Sequence, residues 1–287
     1  MTAMMNYALN TLYIEHLIER ALEEDIGTGD VTTACIFGSS GGRASAKLVA
    51  RQDGVLCGIE IFERTIRRLD GTALFEGDAK DGDCFYKGDV LRNVDAEVCR
   101  LLSAERTALN FLQHLSGIAT LTSKYVKAVE GTRVKITDTR KTIPGLRPLE
   151  KYAVRCGGGH NHRQTLADMV LIKDNHIAYA GGIKPAVELV KRNSSHALKI
   201  EIEVSSLAQV RDALESQVDV IMLDNMNIEE MCSAARLVGG KTLVEASGNV
   251  TLDNVRKIAE CGVDIISIGR LTHSAASADI SLDFEEG

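Results

Sequence analysis

"LKIEIEVSSLAQVRDALESQVDVIMLDNM", residues 198–226, holds two short runs rich in β-branched residues, "KIEIEV" and "DVIML", with a stretch of helical spacing between them. That is the pattern of a β/α/β unit, and it recurs on both sides. The runs "VKITDT", "DMVLIK", "LKIEIEV", "DVIML", "TLVEA" and "DIISI" are each followed by a helical stretch, and the last four begin at Leu198, Asp219, Thr242 and Asp264. A step of about 20 residues suits consecutive β/α units. No Asn-Gly turn joins the runs, so parallel pairing through crossovers is the expected topology. Six units fall short of the eight of a closed barrel. The expectation is an α/β fold, an open (incomplete) α/β barrel over residues 116–275.

Upstream the pattern differs. Residues 11–25 place Tyr13, Leu17, Ile18, Ala21 and Leu22 on one helical face before "IGTGD" breaks the helix. "RASAKLVARQDGVLCG" reads as two short strands joined by the Asp53-Gly54 turn, "EIFERTIRRL" as a helix, and "FEGDAKDGDCFYKGDVLRNVDAEV" as turn-rich strands. This predicts an N-terminal α+β sandwich domain over residues 1–115, and a C-terminal segment, 276–287, returning to it. Residues 101–129 are helical in pattern and mark the boundary, with Gly117 a break or a close-packing point.

In a β/α barrel the ligand chemistry gathers where the strands end. Those ends supply Asp138 and Arg140, Lys173 and Asp174, Glu201 and Glu203, Asp224, Glu245 and Ser247, and Gly269 with His273. Alternation along "KIEIEV" sets Lys199, Glu201 and Glu203 on one face and Ile200, Ile202 and Val204 on the other. Charges turned into a barrel are costly unless paired or ligand-filled. "EASGNV", ahead of a helix expected at Thr251, and "IGRLTHS" are two Gly-bearing turns of the kind whose N–H groups cradle a phosphate.

The chain carries a net charge of -7, yet between Asp138 and Arg163 six Lys or Arg plus His160 and His162 face only two acids. Local cationic excess in an acidic protein points to a small anion and away from nucleic acid. Within "CGGGHNHR", Cys156, His160 and His162 read either as zinc ligands or as a flexible loop delivering His162 and Arg163 to a carboxylate or phosphate. Arg147, Lys151 and Arg155 read as helix surface. Seven scattered cysteines without a C-x-x-C pair suit reduced, mostly buried thiols. No apolar run reaches membrane-spanning or signal-peptide length, so a cytoplasmic protein is expected.

The motifs "EDIGTGDVTT", "ERTALNFLQHLSGIAT", "TDTRKTIPGLR", "GGGHNHR", "LIKDNH", "EIEV", "LDNM", "EASGN", "IGRLTHS" and "DISLDF", in that order, resemble the quinolinate phosphoribosyltransferase family over nearly the whole chain. The resemblance implies transfer of phosphoribose from phosphoribosyl pyrophosphate to quinolinate, yielding nicotinate mononucleotide, pyrophosphate and carbon dioxide in NAD biosynthesis. It implies Mg2+ held through Glu203 and Asp224, which also engage the ribose, and a homodimer, or a hexamer, with Arg106 donated across the subunit interface. Arg106, Arg140, His162 and Arg163 would then bind the dicarboxylate. Lys141 and Lys173 would lie where the two substrates meet. Ser247, Gly248, Asn249, Gly269 and His273 would surround the 5′-phosphate. Two other functions fit the residues alone: a Schiff-base aldolase with Lys173 as nucleophile, and a phosphometabolite-binding protein without turnover.

Overall fold

The computed structural model describes residues 10–38 and 41–284. Residues 1–9, 39–40 and 285–287 lie outside it, and with them part of the N-terminal reading and the end of the C-terminal segment. The chain divides into two compact units, the first formed by residues up to Leu121, Pro148–Gly157 and residues from Ala275 onward, the second by Thr122–Arg147 and Gly158–Ser274.

Before the boundary the elements run α1 (Thr11–Ile26), α2 (Val31–Phe37), β1 (Arg43–Ala50), β2 (Gly54–Val55), α3 (Ile59–Leu69), β3 (Leu74–Glu76), β4 (Cys84–Phe85), β5 (Val90–Glu97) and α4 (Val98–Ala128). There follow β6 (Lys135–Thr137), α5 (Arg147–Cys156), β7 (Val170–Ile172), α6 (Asp174–Ala180), α7 (Ile183–Asn193), β8 (Ile200–Val204) and α8 (Leu207–Glu215). The chain continues through β9 (Val220–Asp224), α9 (Ile228–Val238), β10 (Leu243–Ser247), α10 (Val255–Glu260), β11 (Ile265–Ser267), α11 (Arg270–His273) and β12 (Ile280–Phe284).

In the first unit an antiparallel sheet has the order β12-β1-β5-β3. Alternate residues of β1, Ala46, Leu48 and Ala50, turn inward onto Phe62 and Ile66 of α3 and Leu101, Leu109 and Leu112 of α4. The last strand pairs Ala46 with Phe284 and Ala50 with Ile280, which ties the end of the chain to this sheet. Helix α4 is unbroken at Gly117, where an added Cβ would collide with the Ala276 carbonyl oxygen, so the glycine there serves close packing.

Three readings of this unit need correction. β1 and β2 are not a hairpin: β1 pairs with β5 and β12, β2 with β4, and Gly54 belongs to the strand itself. Helix α2, capped by the Asp30 side chain on the Thr33 N–H at 2.9 Å, went unread because seven residues are too few to show a period. Lys151 is 1 % exposed, not surface, because α5 belongs to the first unit and its polar side is covered. Arg147 and Arg155 are half-buried.

The second unit is a six-stranded parallel sheet in the order β6-β11-β10-β9-β8-β7. Val220 to Leu223 are all buried, the continuous apolar run expected of a strand covered on both faces. Side-chain caps start the helices: Ser206 accepts from the Gln209 N–H for α8, and Asn227 and Glu230 form a reciprocal box for α9. With β6 and β7 as separate edges the barrel stays open, as the count of six units predicts. Helix α10 begins at Val255, four residues later than expected, because Thr251–Asn254 form turns closed by Asn254 Oδ1 on the Thr251 N–H.

The thiol reading fails in part. Cys232 of α9 and Cys261, just after α10, are disulfide-bonded with Cα atoms 4.4 Å apart. Consecutive β/α units bring these helices side by side, a proximity that linear spacing does not reveal. Of the free cysteines, Cys57 and Cys156 are buried, whereas Cys35 and Cys84 are exposed. No helix among the described residues is long and apolar enough to cross a membrane.

Candidate active site

The strand ends of the second unit and the loops after them enclose a cavity of about 760 Å³. Twelve of the thirteen site residues expected from sequence line it. The thirteenth, Arg106, is an exposed residue of α4 in the first unit.

One wall comes from β6 and the loop after α5. Asp138, fully buried, accepts from the His162 N–H at 2.9 Å and from Asn161 Nδ2 at 2.5 Å, and His160 bridges Thr137 as a one-residue extension of the sheet edge. The Gly-rich loop is thereby fastened to the strand it faces. It presents His162 and Arg163 beside Arg140 and Lys141. Burial first, then the neighbouring Arg140 charge, lowers the proton affinity of the Arg163 guanidinium, which donates to the Met169 carbonyl at 3.1 Å. Arg140 Nε is shielded from solvent and has no hydrogen-bond partner. Two guanidiniums near enough to repel, one with an unmet donor, suit an anion.

The zinc reading does not survive. Cys156 sits with Cys57 and Asp81 in the first unit, while His162 sits with Glu201 and Glu245 in the second. Nor does Lys173 suit a Schiff-base nucleophile: its side chain is 46 % exposed and its ammonium is paired with Glu203 at 2.7 Å, whereas that chemistry needs desolvation or neighbouring cations.

The opposite wall is built on left-handed backbone. Gly248 (φ 90) follows Ser247, and a Cβ there would overlap the Asn225 side chain. Asn225 (φ 54) and Asn249 (φ 51) adopt the same region, with Asn249 Nδ2 donating to Asn225 Oδ1 at 3.1 Å. Successive N–H groups in such a turn make an anion-binding concavity. Gly269 adjoins it, where a Cβ would press on the Lys141 side chain, and the Thr272 hydroxyl donates to the Lys141 carbonyl at 2.7 Å. His273 Nδ1 is 2.6 Å from the Ser274 hydroxyl. Between the walls stand Glu203 and Asp224, hard oxygen donors of the kind that hold Mg2+ together with substrate phosphates.

Glu201 and Glu245, expected among the strand-end groups but without a role, meet at the cavity floor. Glu245 and Ser267 line it, and His162 Nε2 lies 3.0 Å from Glu201 Oε2 and 3.6 Å from Glu245 Oε1. Burial and then the Glu201 charge push the Glu245 carboxyl up to about 8. The signal was present: Glu201 and Glu203, like Glu245 and Ser247, stand two apart on a strand and share a face. Lys199, which shares that alternation, precedes β8 and is exposed.

Residues 30–116 match the N-terminal domain, and residues 118–283 the C-terminal domain, of quinolinate phosphoribosyl transferase. A probable nicotinate-nucleotide pyrophosphorylase [carboxylating] of Bacillus subtilis (strain 168) is 42% identical over 96% of this chain and 94% of its own length. One of Methanocaldococcus jannaschii is also 42% identical, over 94% of this chain and 97% of its own. The crystal structure of nicotinate-nucleotide pyrophosphorylase from Ehrlichia chaffeensis superposes with a TM-score of 0.91 at 44% identity, covering 94% of this chain and 98% of that one. With both domain models matched in order and identity of this level end to end, the chain belongs to the quinolinate phosphoribosyltransferase family.

Proposed function

We propose that this chain transfers the phosphoribosyl group of phosphoribosyl pyrophosphate to quinolinate, with decarboxylation, to give nicotinate mononucleotide, pyrophosphate and carbon dioxide in NAD biosynthesis. The observation that carries this reading is the pair Arg140 and Arg163, two guanidiniums near enough to repel, one with an unmet donor, set in one cavity with the left-handed turn at Gly248. Forked guanidinium donors match a dicarboxylate, and a concavity of N–H groups matches a phosphate.

In this reading Arg140 and Arg163 hold the two carboxylates with the His162 ring beside them, its two nitrogens engaged by the Arg163 N–H and Glu201, and Lys141 and Lys173 lie between quinolinate and pyrophosphate. Ser247, Gly248, Asn249, Gly269 and His273 surround the 5′-phosphate. The pyridine nitrogen attacks C1 of the ribose and the bond to pyrophosphate breaks with its electron pair leaving on oxygen. No protein nucleophile is needed; alignment and electrostatics dominate. Glu203 and Asp224 face the ribose, where positive charge develops. They are also the residues that would hold Mg2+, which when bound neutralises charge on the departing pyrophosphate. The C2 carboxylate then leaves as carbon dioxide, its electron pair stabilised by the quaternised ring nitrogen.

The proposal extends to a cytoplasmic homodimer in which Arg106, exposed on α4, reaches the partner's dicarboxylate. Arg106→Ala and Lys173→Ala proteins, each inactive alone, should regain part of the activity when subunits are exchanged; no recovery rejects the shared site. The reaction itself is tested by incubating the protein with quinolinate, phosphoribosyl pyrophosphate and Mg2+. Nicotinate mononucleotide and pyrophosphate should form in equal amounts. Turnover of nicotinate but not quinolinate would overturn the reading.

A further inference from the structure

Breaking the C2 bond leaves an electron pair on carbon that must take up a proton, and none of the roles above supplies one. Among the groups of the cavity walls, guanidiniums do not release protons near neutral pH, the Lys173 ammonium is tied to Glu203, and Lys141 and His273 are assigned above to the pyrophosphate and the 5′-phosphate.

The floor holds a different kind of group. Glu245 on β10 and Glu201 on β8 are 1 % and 0 % exposed, and their carboxyl oxygens and His162 Nε2 all lie within 4.8 Å of one another. Such a trio invites a metal ion, and the histidine tautomer decides against it. The Arg163 N–H donates to His162 Nδ1 at 2.8 Å, so Nδ1 carries a lone pair and the ring proton sits on Nε2. Coordination at Nε2 would require the proton on Nδ1, pointed into that N–H. The trio is built for a proton. One imidazole N–H, nearest Glu201 Oε2 at 3.0 Å, does not neutralise two buried carboxylates in contact, and like charges so placed cannot both persist.

Of the two, Glu245 lines the cavity and Glu201 does not. Facing Glu245 are Glu201 from β8, Ser267 from β11, His162 from the loop after α5, with Arg163 beside it, and the apolar Met222 from β9. Burial and Glu201 disfavour its ionised form more strongly than His162 and Ser267 favour it. It therefore enters the reaction as a neutral acid.

We propose that Glu245 is the catalytic acid that protonates C2 after decarboxylation. Its O–H bond breaks, a C–H bond forms at C2 with the electron pair left by carbon dioxide, and Glu245 becomes a carboxylate. That carboxylate, beside Glu201, recovers its proton from water once product leaves. Glu201 and His162 are positioning residues in this scheme: one keeps the proton on Glu245, the other holds Glu201. The inference rests on the phosphoribosyltransferase reading.

A single-turnover experiment with quinolinate, phosphoribosyl pyrophosphate and Mg2+ separates the two steps, because pyrophosphate reports transfer and nicotinate mononucleotide reports protonation. In Glu245→Gln, pyrophosphate should appear at close to the unmodified rate. Nicotinate mononucleotide should appear about 100-fold more slowly, with quinolinate mononucleotide accumulating. Equal loss of both products, or no loss of either, overturns the assignment. The unmodified protein gives a second reading that does not depend on the variant folding: its protonation step should fall about tenfold per pH unit above about 8 while pyrophosphate release does not. A protonation step flat to pH 9.5 overturns the assignment as well. If the unmodified protein releases no pyrophosphate, the phosphoribosyltransferase reading itself has failed.

Discussion

Asp81 in the first unit and Glu245 in the second are both acids whose proton affinity is raised, burial being the larger cause in each. Their surroundings differ in kind. Asp81 Oδ1 accepts from the Gly58 and Ile59 N–H groups at 2.8 and 3.0 Å, at the start of α3, and Oδ2 accepts from the Tyr152 hydroxyl at 2.9 Å. Both carboxylate oxygens have a donor. Glu245 meets a second buried acid and an imidazole whose N–H lies nearer that other acid. A carboxylate whose acceptors are filled fastens a fold; one left short of donors beside a cavity is available for chemistry.

The largest expected effect is at the cavity, the side of this contrast to which Glu245 belongs. Replacing Arg163 with alanine removes a half-buried charge that faces the cavity and leaves a dicarboxylate partly unpaired, so kcat/KM for quinolinate should fall about 1000-fold, near 4 kcal/mol, with the melting temperature little changed. A fall below tenfold would remove Arg163 from the binding site. For the satisfied side, Asp81→Ala strands two helix-start N–H groups and the Tyr152 hydroxyl. Stability should drop by about 3 kcal/mol in a denaturant titration, and activity per folded molecule should hold.

A subtler difference is in pH. Glu245 is held protonated up to about 8 when folded, against an ordinary value of 4.5 when unfolded. Between those values the folded chain keeps a proton that the unfolded chain has released. Its contribution to stability is therefore full below pH 4.5, declines as pH rises through the window, and is gone above about 8. In Glu245→Gln that slope should disappear from the unfolding free energy measured from pH 5 to 9. Asp81→Ala should leave it intact.

The sequence made the scaffold legible and the pairing at the floor illegible for one reason. Hydrophobic period reports which faces are apolar, and every strand of the open barrel carries such a face. Strand ends then named the cavity walls, since Arg140, Lys173, Glu203 and Asp224 lie at or just beyond the ends of their runs. What the period does not report is a pairing between strands two apart in the sheet. Glu201 and Glu245 meet only because β8 and β10 flank β9. The same limit hid the Cys232–Cys261 bond and the burial of Lys151, each created by an element arriving from elsewhere in the chain.

The smallest effect is expected where charges are most visibly paired. Arg51 on the loop after β1 meets Asp283 of β12 with both carboxylate oxygens within 2.6 Å of Nη2, and its Nε donates to the Ser281 hydroxyl at 2.8 Å. The geometry is good and the pair joins the last strand to the first sheet, which suggests a fastener. Yet the two side chains are 43 % and 44 % exposed, so water and salt screen them, and holding Arg51 in place costs rotamer entropy. The strand is held instead by its backbone register with β1 and by Ile280 and Leu282 in the core. Arg51→Ala should therefore change stability by less than about 1 kcal/mol, and the difference should shrink further in 1 M salt. A loss as large as that of Asp81→Ala would mean that solvent-exposed charge, rather than satisfied burial, anchors the end of this chain.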